Sequence, residues 1–313
     1  MKMAALLVED GLMNCVISGG EPLLRNRLAG QLIDYLHDYG VYVVLNCSGV
    51  LFRGNRQLTD FLSEMPDLFV FSLDSVDESR HDASRRMPGL FDAVHRSIAE
   101  ILAMNQPRPA VGVRFVMTRY NFNEIPTLIQ MLSAWGVDCL KITNIENDSS
   151  LSYSLSDIQT RLLWDEVIPS AVRELSTCAF QREELREDAL VKMSGFMSGM
   201  DGASLSRNLF SKHQGAYFEC PLGAEFVLVG GDGSIYPCCE AEHQGFPVLG
   251  KAGITSVEDI HRNLSRLRFD RLDYCSRCTA ERNIQINFTD RCMNVNDRCG
   301  LKNLPEKNKN NPV

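Results

Sequence analysis

Two stretches of this sequence carry residues whose types and spacing could do chemistry. Near the end, Cys220 is followed by Gly233 and Cys238, and farther on Cys275 and Cys278 form a Cys-x2-Cys pair. Four thiolates from two segments can build a tetrahedral zinc site or hold one iron–sulfur cluster, and spacing alone leaves both open. Near the start, VISGGEPLL places Gly19, Gly20, Glu21 and Pro22 where a strand gives way to a helix. Glycines there let a ligand approach the backbone closely, and Pro22 pre-sets the entry to the helix. Glu21 and exposed carbonyls suit an ammonium group, although such a turn is as often purely structural.

These residues need a scaffold. Apolar, β-branched runs begin near Asn14, Val41, Leu68, Val111 and Cys139, with starts 27, 27, 43 and 28 residues apart, near the roughly 30 residues that one strand and one helix occupy in a (β/α) barrel, the longer third interval being expected to hold one extended helix. The runs are nearly continuous, as expected of parallel strands buried on both faces. Leu28, Leu32 and Leu36 form a stripe ended by Gly40; Phe91, Val94, Ile98 and Ile101 line one extended helix, and Asn123 reads as an N-cap. These stripes are expected to be core. Reactive groups in such folds sit at the carboxyl ends of the strands, which selects Gly19 to Pro22, Asn46 to Gly49, Ser72 to Ser75 and Thr118 to Tyr120. Polar helices without strands follow from Asn147 to Tyr217, and FVLVGGDGSIYPCC reads as a hairpin with Gly-Asp-Gly at its turn and Pro237 ending the second strand beside Cys238.

With its motifs quoted, the stretch from Cys15 to Ile145 resembles the radical S-adenosylmethionine (SAM) superfamily. The resemblance implies that Gly19, Gly20, Glu21 and Pro22 hold the methionine amino group of the cofactor after the second strand of a partial (β/α)6 barrel. VVLNCSG is similar to the third strand and FSLDSVDESRHDASRR to the fourth strand with its loop, which makes Ser72 and Asp74 candidates to line the cofactor or substrate pocket; Asp74 is alternatively a helix cap. The late cysteines resemble the SPASM and twitch domains, and by that likeness Cys220, Cys238, Cys275 and Cys278 bind an auxiliary [4Fe-4S] cluster. Position 284 is isoleucine where the full SPASM pattern has cysteine, so a second auxiliary cluster is not expected. Cys239 could substitute for Cys238, and Cys292 and Cys299 stay unassigned.

The family's Cys-x3-Cys-x2-Cys loop occurs nowhere in the sequence. Cys15 reads as a small buried hydrophobe and Cys47 as a thiol at a strand mouth, and two isolated thiols do not replace three. The expectation is an α/β protein: a partial (β/α)6 barrel lacking its first βα unit over 1–146, a helical connection over 147–219, an iron–sulfur domain with a β-hairpin over 220–300 and a disordered tail over 301–313.

Composition narrows the function classes. A net charge of −8 disfavours phosphate-backbone binding, so nucleic acid is not an expected partner. The apolar run before Glu9 is too short for a signal-peptide core or a membrane span, and an odd count of eleven cysteines speaks against a disulfide framework; both point to the cytoplasm. His81 and His243 read as surface or loop residues, and no hydrolase or phosphate-loop motif is present. The implied activity is reductive cleavage of SAM and hydrogen abstraction from a peptide, protein or small metabolite. It would use a second [4Fe-4S] cluster in the complete form and an electron donor such as flavodoxin or ferredoxin. The alternative is a non-catalytic iron–sulfur or zinc scaffold that recognises a peptide or partner protein.

Overall fold

The computed structural model describes residues 1–52, 65–105, 107–144, 152–198, 226–238, 245–267 and 284–292. All five expected strands form: β1 (Asn14–Ile17), β2 (Tyr42–Cys47), β3 (Leu68–Ser72), β4 (Ala110–Met117) and β5 (Cys139–Asn144). They pair in parallel in sequence order, and a sixth strand from late in the chain, Ile284–Asn287, closes the row by pairing antiparallel with β5. This mostly parallel sheet with helices on one face is consistent with a partial radical SAM-type barrel.

Alternation along each strand gives the sheet two different faces. Val43, Leu45, Cys47, Phe69, Phe71, Val113, Phe115, Leu140 and Ile142 point toward the helices and form the main core with them. The opposite, inner face has an apolar floor near the amino ends, built from Val44, Leu68, Val70, Ala110 and Cys139 with Cys292. Above that floor the same face turns polar.

The outer helices begin with α1 (Lys2–Glu9), α2 (Asn26–Asp38), α3 (Glu78–Arg85), α4 (Leu90–Leu102) and α5 (Ile125–Trp135). Three details differ from expectation. On α2 Leu36 is fully buried and Leu32 packs partly buried against the core as expected, while Leu28 is 54 % exposed and Ala29 and Ile33 complete the buried stripe. The long interval after β3 holds two helices, because Arg86 and Gly89 both adopt left-handed backbone and the Asp82 carboxylate accepts from the first amides of α4. Asn123 does not cap α5; Asn121 organises that turn, accepting from Thr118 N–H at 2.6 Å.

The segment expected as a helical connection contains α6 (Asp157–Leu162), α7 (Ile168–Thr177) and α8 (Glu183–Ser198). Leu163, Ile168, Ala171, Leu175, Ala189 and Met193 bury into the main core, so these helices continue the outer layer. A π-helical turn over Leu163–Val167 joins α6 to α7. Pro169 explains it, since proline has no N–H for the ordinary helical bond and crowds the carbonyl four residues back.

A small antiparallel sheet comprises β6 (Leu228–Val229), β7 (Ser234–Tyr236) and β8 (Gly250–Lys251), followed by α9 (Val257–Ser265). We number the late strand Ile284–Asn287 β9. The expected hairpin is present: Gly233 has φ 82°, and Asp232 accepts from Ser234 N–H at 2.8 Å and pairs with Lys251 at 2.9 Å. Among the described residues, no helix is long and apolar enough to cross a membrane.

Candidate cofactor and substrate site

The carboxyl ends of β1 to β4 bring the four segments selected from the sequence to one end of the sheet. After β1 the chain passes through Gly19 and Gly20, with φ 88° and 51°, conformations that side chains disfavour. A Cβ built on either glycine would meet nothing within 4 Å, so space lies open above the turn. Glu21 then swings back in extended conformation. Its Oε2 accepts from the Ser48 amide at 3.0 Å and also from the Ser48 hydroxyl, tying the turn after β1 to the end of β2. Glu21 Oε1 is buried and has no hydrogen-bond partner, and so is Asn46 Oδ1, whose amide nitrogen donates to Ser18 Oγ at 3.2 Å. A buried acceptor without a donor costs about 1–3 kcal/mol. A ligand ammonium between open glycines and an orphaned carboxylate oxygen would remove that cost, so these residues fit the amino group of SAM.

The loop after β3 is locked by its neighbours. Ser72 ends β3 on the inner face, half-buried. The Asp74 carboxylate is held by Arg85, with Nε to Oδ2 at 2.6 Å, its amide donates to His81 Nδ1 at 3.1 Å, and its carbonyl accepts from Asn121 Nδ2 at 2.9 Å. Asp74 therefore does not cap a helix; Asp77 caps α3, accepting from Arg80 N–H at 2.9 Å. Hydrogen bonds from Ser79 and the Arg80 amide hold the Asp77 carboxyl below its ordinary range. Buried Glu124 accepts from Ser75 Oγ at 2.8 Å and Val76 N–H at 2.7 Å, and pairs with Arg80 at 2.9 Å. His81 is not a surface residue: it is fully buried on α3, edge-on to Phe91, and burial lowers its pKa.

Residues 1–132 match the family model of the radical SAM superfamily. Over that stretch the chain is similar to a radical SAM superfamily domain. Among solved structures, Streptococcus suis SuiB bound to S-adenosylmethionine is similar over 89 % of this chain and 64 % of SuiB, at 13 % identity and a TM-score of 0.56. SuiB bound to its precursor peptide SuiA aligns over 88 % of this chain and 63 % of SuiB, at 12 % identity and a TM-score of 0.55. Archaeal TYW1 shares 15 % identity over 51 % of this chain and 50 % of its own, with a TM-score of 0.35. The chain thus spans about half to two thirds of the length of these three solved structures, and at these identities the likeness concerns the fold. No curated protein matches the sequence.

In the radical SAM domain the thiols of β1 and β2 do not form a cluster site. Cys47 ends β2, but its side chain is buried in the helix-side core, and burial pushes its pKa well up. Cys15 packs partly buried against that core, its pKa raised by burial to about 11. Both behave as small hydrophobes, and the residues described do not fit the cluster that the superfamily uses with SAM. Of the expected auxiliary ligands, Cys238 follows β7 and Pro237, while Cys220, Cys275 and Cys278 lie outside the described residues, as do Cys239, Cys299 and His243. Among the described residues no three His, Cys, Asp or Glu side chains could hold a metal together.

Sequence reasoning passed over Ser48, Asn46, Asn121 and Glu124. The stretch Asn46 to Gly49 was flagged only as a strand end; its specific signal is the hydroxyl at Ser48, placed to bind a carboxylate one strand away. Nothing in the spacing marks Glu124 as buried.

Proposed function

We propose that this chain is the SAM-binding part of a radical SAM enzyme of the SPASM or twitch type, acting on a peptide, protein or small metabolite. The observation that carries this reading is Glu21: one carboxylate oxygen fixed by Ser48, the other buried and open to a donor beside two glycines that leave room for a ligand. Glu21 would accept from the cofactor's ammonium, the Gly19–Gly20 backbone would lie along it, and Ser72 would border the pocket at the next strand end but one. In such an enzyme a [4Fe-4S] cluster would supply one-electron reducing chemistry to the cofactor; the described residues of this chain would hold the cofactor's amino group and not that cluster. The 313 residues contain no Cys-x3-Cys-x2-Cys. Cys220, Cys238, Cys275 and Cys278 would hold an auxiliary cluster, in a cytoplasmic protein served by a flavodoxin or ferredoxin. A peptide substrate is favoured by the fold shared with SuiB, which binds the precursor peptide SuiA.

Calorimetric titration with SAM tests the reading. Wild-type protein is expected to bind, and Glu21→Gln to bind at least about tenfold more weakly, since hydrogen bonds to charged groups contribute about 1.5–3 kcal/mol. Equal affinity in the two proteins would remove the shelf from the argument. The missing triad favours a second reading, a non-catalytic cluster or zinc scaffold. Iron, sulfide and zinc analysis after anaerobic purification, with SAM cleavage under a strong reductant, separates the two.

A further inference from the structure

The apolar floor of the inner face holds two thiols from distant parts of the chain. Cys139 opens β5 and Cys292 comes shortly after β9. Each is 4 % exposed, and both belong to the small cluster of Val44, Leu68, Val70 and Ala110. The turn that follows β9 brings them together. Asn287 pairs with Cys139 across the sheet, the Thr289 hydroxyl donates to Asp138 at 2.7 Å, and the Arg291 carbonyl accepts from the Tyr42 hydroxyl at 3.3 Å. These bonds fold the segment back under the inner face and set Cys292 beside Cys139, whose thiol is its hydrogen-bonding neighbour.

Gly112 on β4 makes room for this pair. A Cβ there would stand 2.8 Å from Cys139 Sγ, and a glycine inside a strand otherwise weakens it. Cys15 and Cys47 show that a lone thiol serves this fold as a small hydrophobe. The pair differs from them because its two thiols touch across the joint between β5 and the late segment, and neither is part of a disulfide in the structure.

We infer that Cys139 and Cys292 form a reversible disulfide clasp that fixes the segment after β9 to the floor of the sheet, with a low-molecular-weight disulfide such as oxidised glutathione as the oxidant. One protein thiolate attacks the reagent disulfide and expels one reagent thiol; the other then attacks the mixed disulfide and expels the second. Two protein S–H bonds are lost and one S–S bond forms, while two electrons and two protons leave with the reagent as two thiols. Burial, and after it the Cys139 thiol, hold the Cys292 pKa well above its ordinary value, with Arg108 opposing. Exchange is therefore slow at neutral pH and quickens as pH rises. In a reducing compartment an isolated disulfide of this kind is a transient or sensing device and not a framework. The clasp stands independently of the cofactor reading.

The experiment incubates the full chain, as wild type, Cys139→Ser and Cys292→Ser, with oxidised glutathione at pH 8 until modification of the other thiols is complete. Remaining thiols are then blocked and disulfides located by peptide mass spectrometry without reductant. The expected result is a linked peptide pair joining Cys139 to Cys292 in wild type, released by dithiothreitol. Oxidised wild type is expected to melt at least about 5 °C above the reduced form and to exchange amide hydrogens of β9 more slowly, and neither serine variant gains either effect. The wild-type map decides the matter even where a serine variant fails to fold. If Cys139 and Cys292 stay reduced, or each ends carrying its own glutathione, the clasp is overturned. It is also overturned if folded Cys292→Ser, purified without oxygen, holds less iron than wild type, because Cys292 would then be a cluster ligand.

Discussion

His81 acts as an uncharged acceptor, and that sets a pH dependence. Its Nδ1 receives the Asp74 amide, which fixes the proton on Nε2 in the neutral ring. Burial, the largest effect, lowers its pKa; Arg85 adds to this while Asp74 and Asp82 oppose it. A histidine with a depressed folded pKa is protonated more readily when unfolded, whose reference value is about 6.5. The unfolded chain then binds more protons, so stability is complete above that value and falls as pH drops below it toward the folded pKa. Denaturant midpoints from pH 8 to pH 5 are expected to decline through this window. His81→Asn, which removes the titrating ring, is expected to show a shallower decline; an unchanged slope would remove His81 as the source. The cost would be felt at the pocket, because the amide released belongs to the loop that carries Ser72 and Asp74.

The five parallel strands were legible because strands buried on both faces read as uninterrupted apolar runs. Helix faces were less so: Leu28, Leu32 and Leu36 satisfy the helical period, yet Leu28 turns outward and Ala29 and Ile33 complete the buried stripe with Leu36. The Gly-Gly-Glu-Pro shelf was legible from local chemistry, whereas Ser48 and Glu124 act through partners 27 and 48 residues away that no local pattern reveals. Strand β9 escaped notice for the same reason. Its attachment depends on Asp138, fully buried at the start of β5, which accepts from both Arg108 guanidinium nitrogens at 2.7 and 3.1 Å, from Val111 N–H at 2.8 Å and from Thr289 Oγ1 at 2.7 Å. Asp138→Asn turns one acceptor into a donor among donors and leaves Arg108, 9 % exposed, without its counter-charge. Breaking a buried pair costs about 3–5 kcal/mol. Guanidinium unfolding should show a loss of that order, and hydrogen exchange should show β9 losing protection before β1 to β3. A loss below about 1 kcal/mol would mean that the network is replaced easily.

The whole molecule has a second, smaller core. Met3 of α1 is buried with Ile235 of β7, Leu249 before β8, and Ile260 and Leu264 of α9, and His261 of α9 pairs with Asp10 at 2.7 Å. The first helix is thus packed against the small sheet, although its next strand belongs to the large one. Through α1 this core links two places of proposed chemistry: β1, which leads into Gly19 to Glu21, and β7, which leads into Cys238. Ile235 is completely buried, and truncating such a side chain costs about 2–5 kcal/mol. Ile235→Ala is therefore expected to raise hydrogen exchange in α1, β6 to β8 and α9 together while β2 to β4 remain protected. If α1 keeps its protection when the small sheet loses its own, the two are not one cooperative unit, and a change at Cys238 has no mechanical route to Glu21 through this core. If they open together, SAM affinity at Glu21 should fall in Ile235→Ala even though no residue of the shelf has been altered.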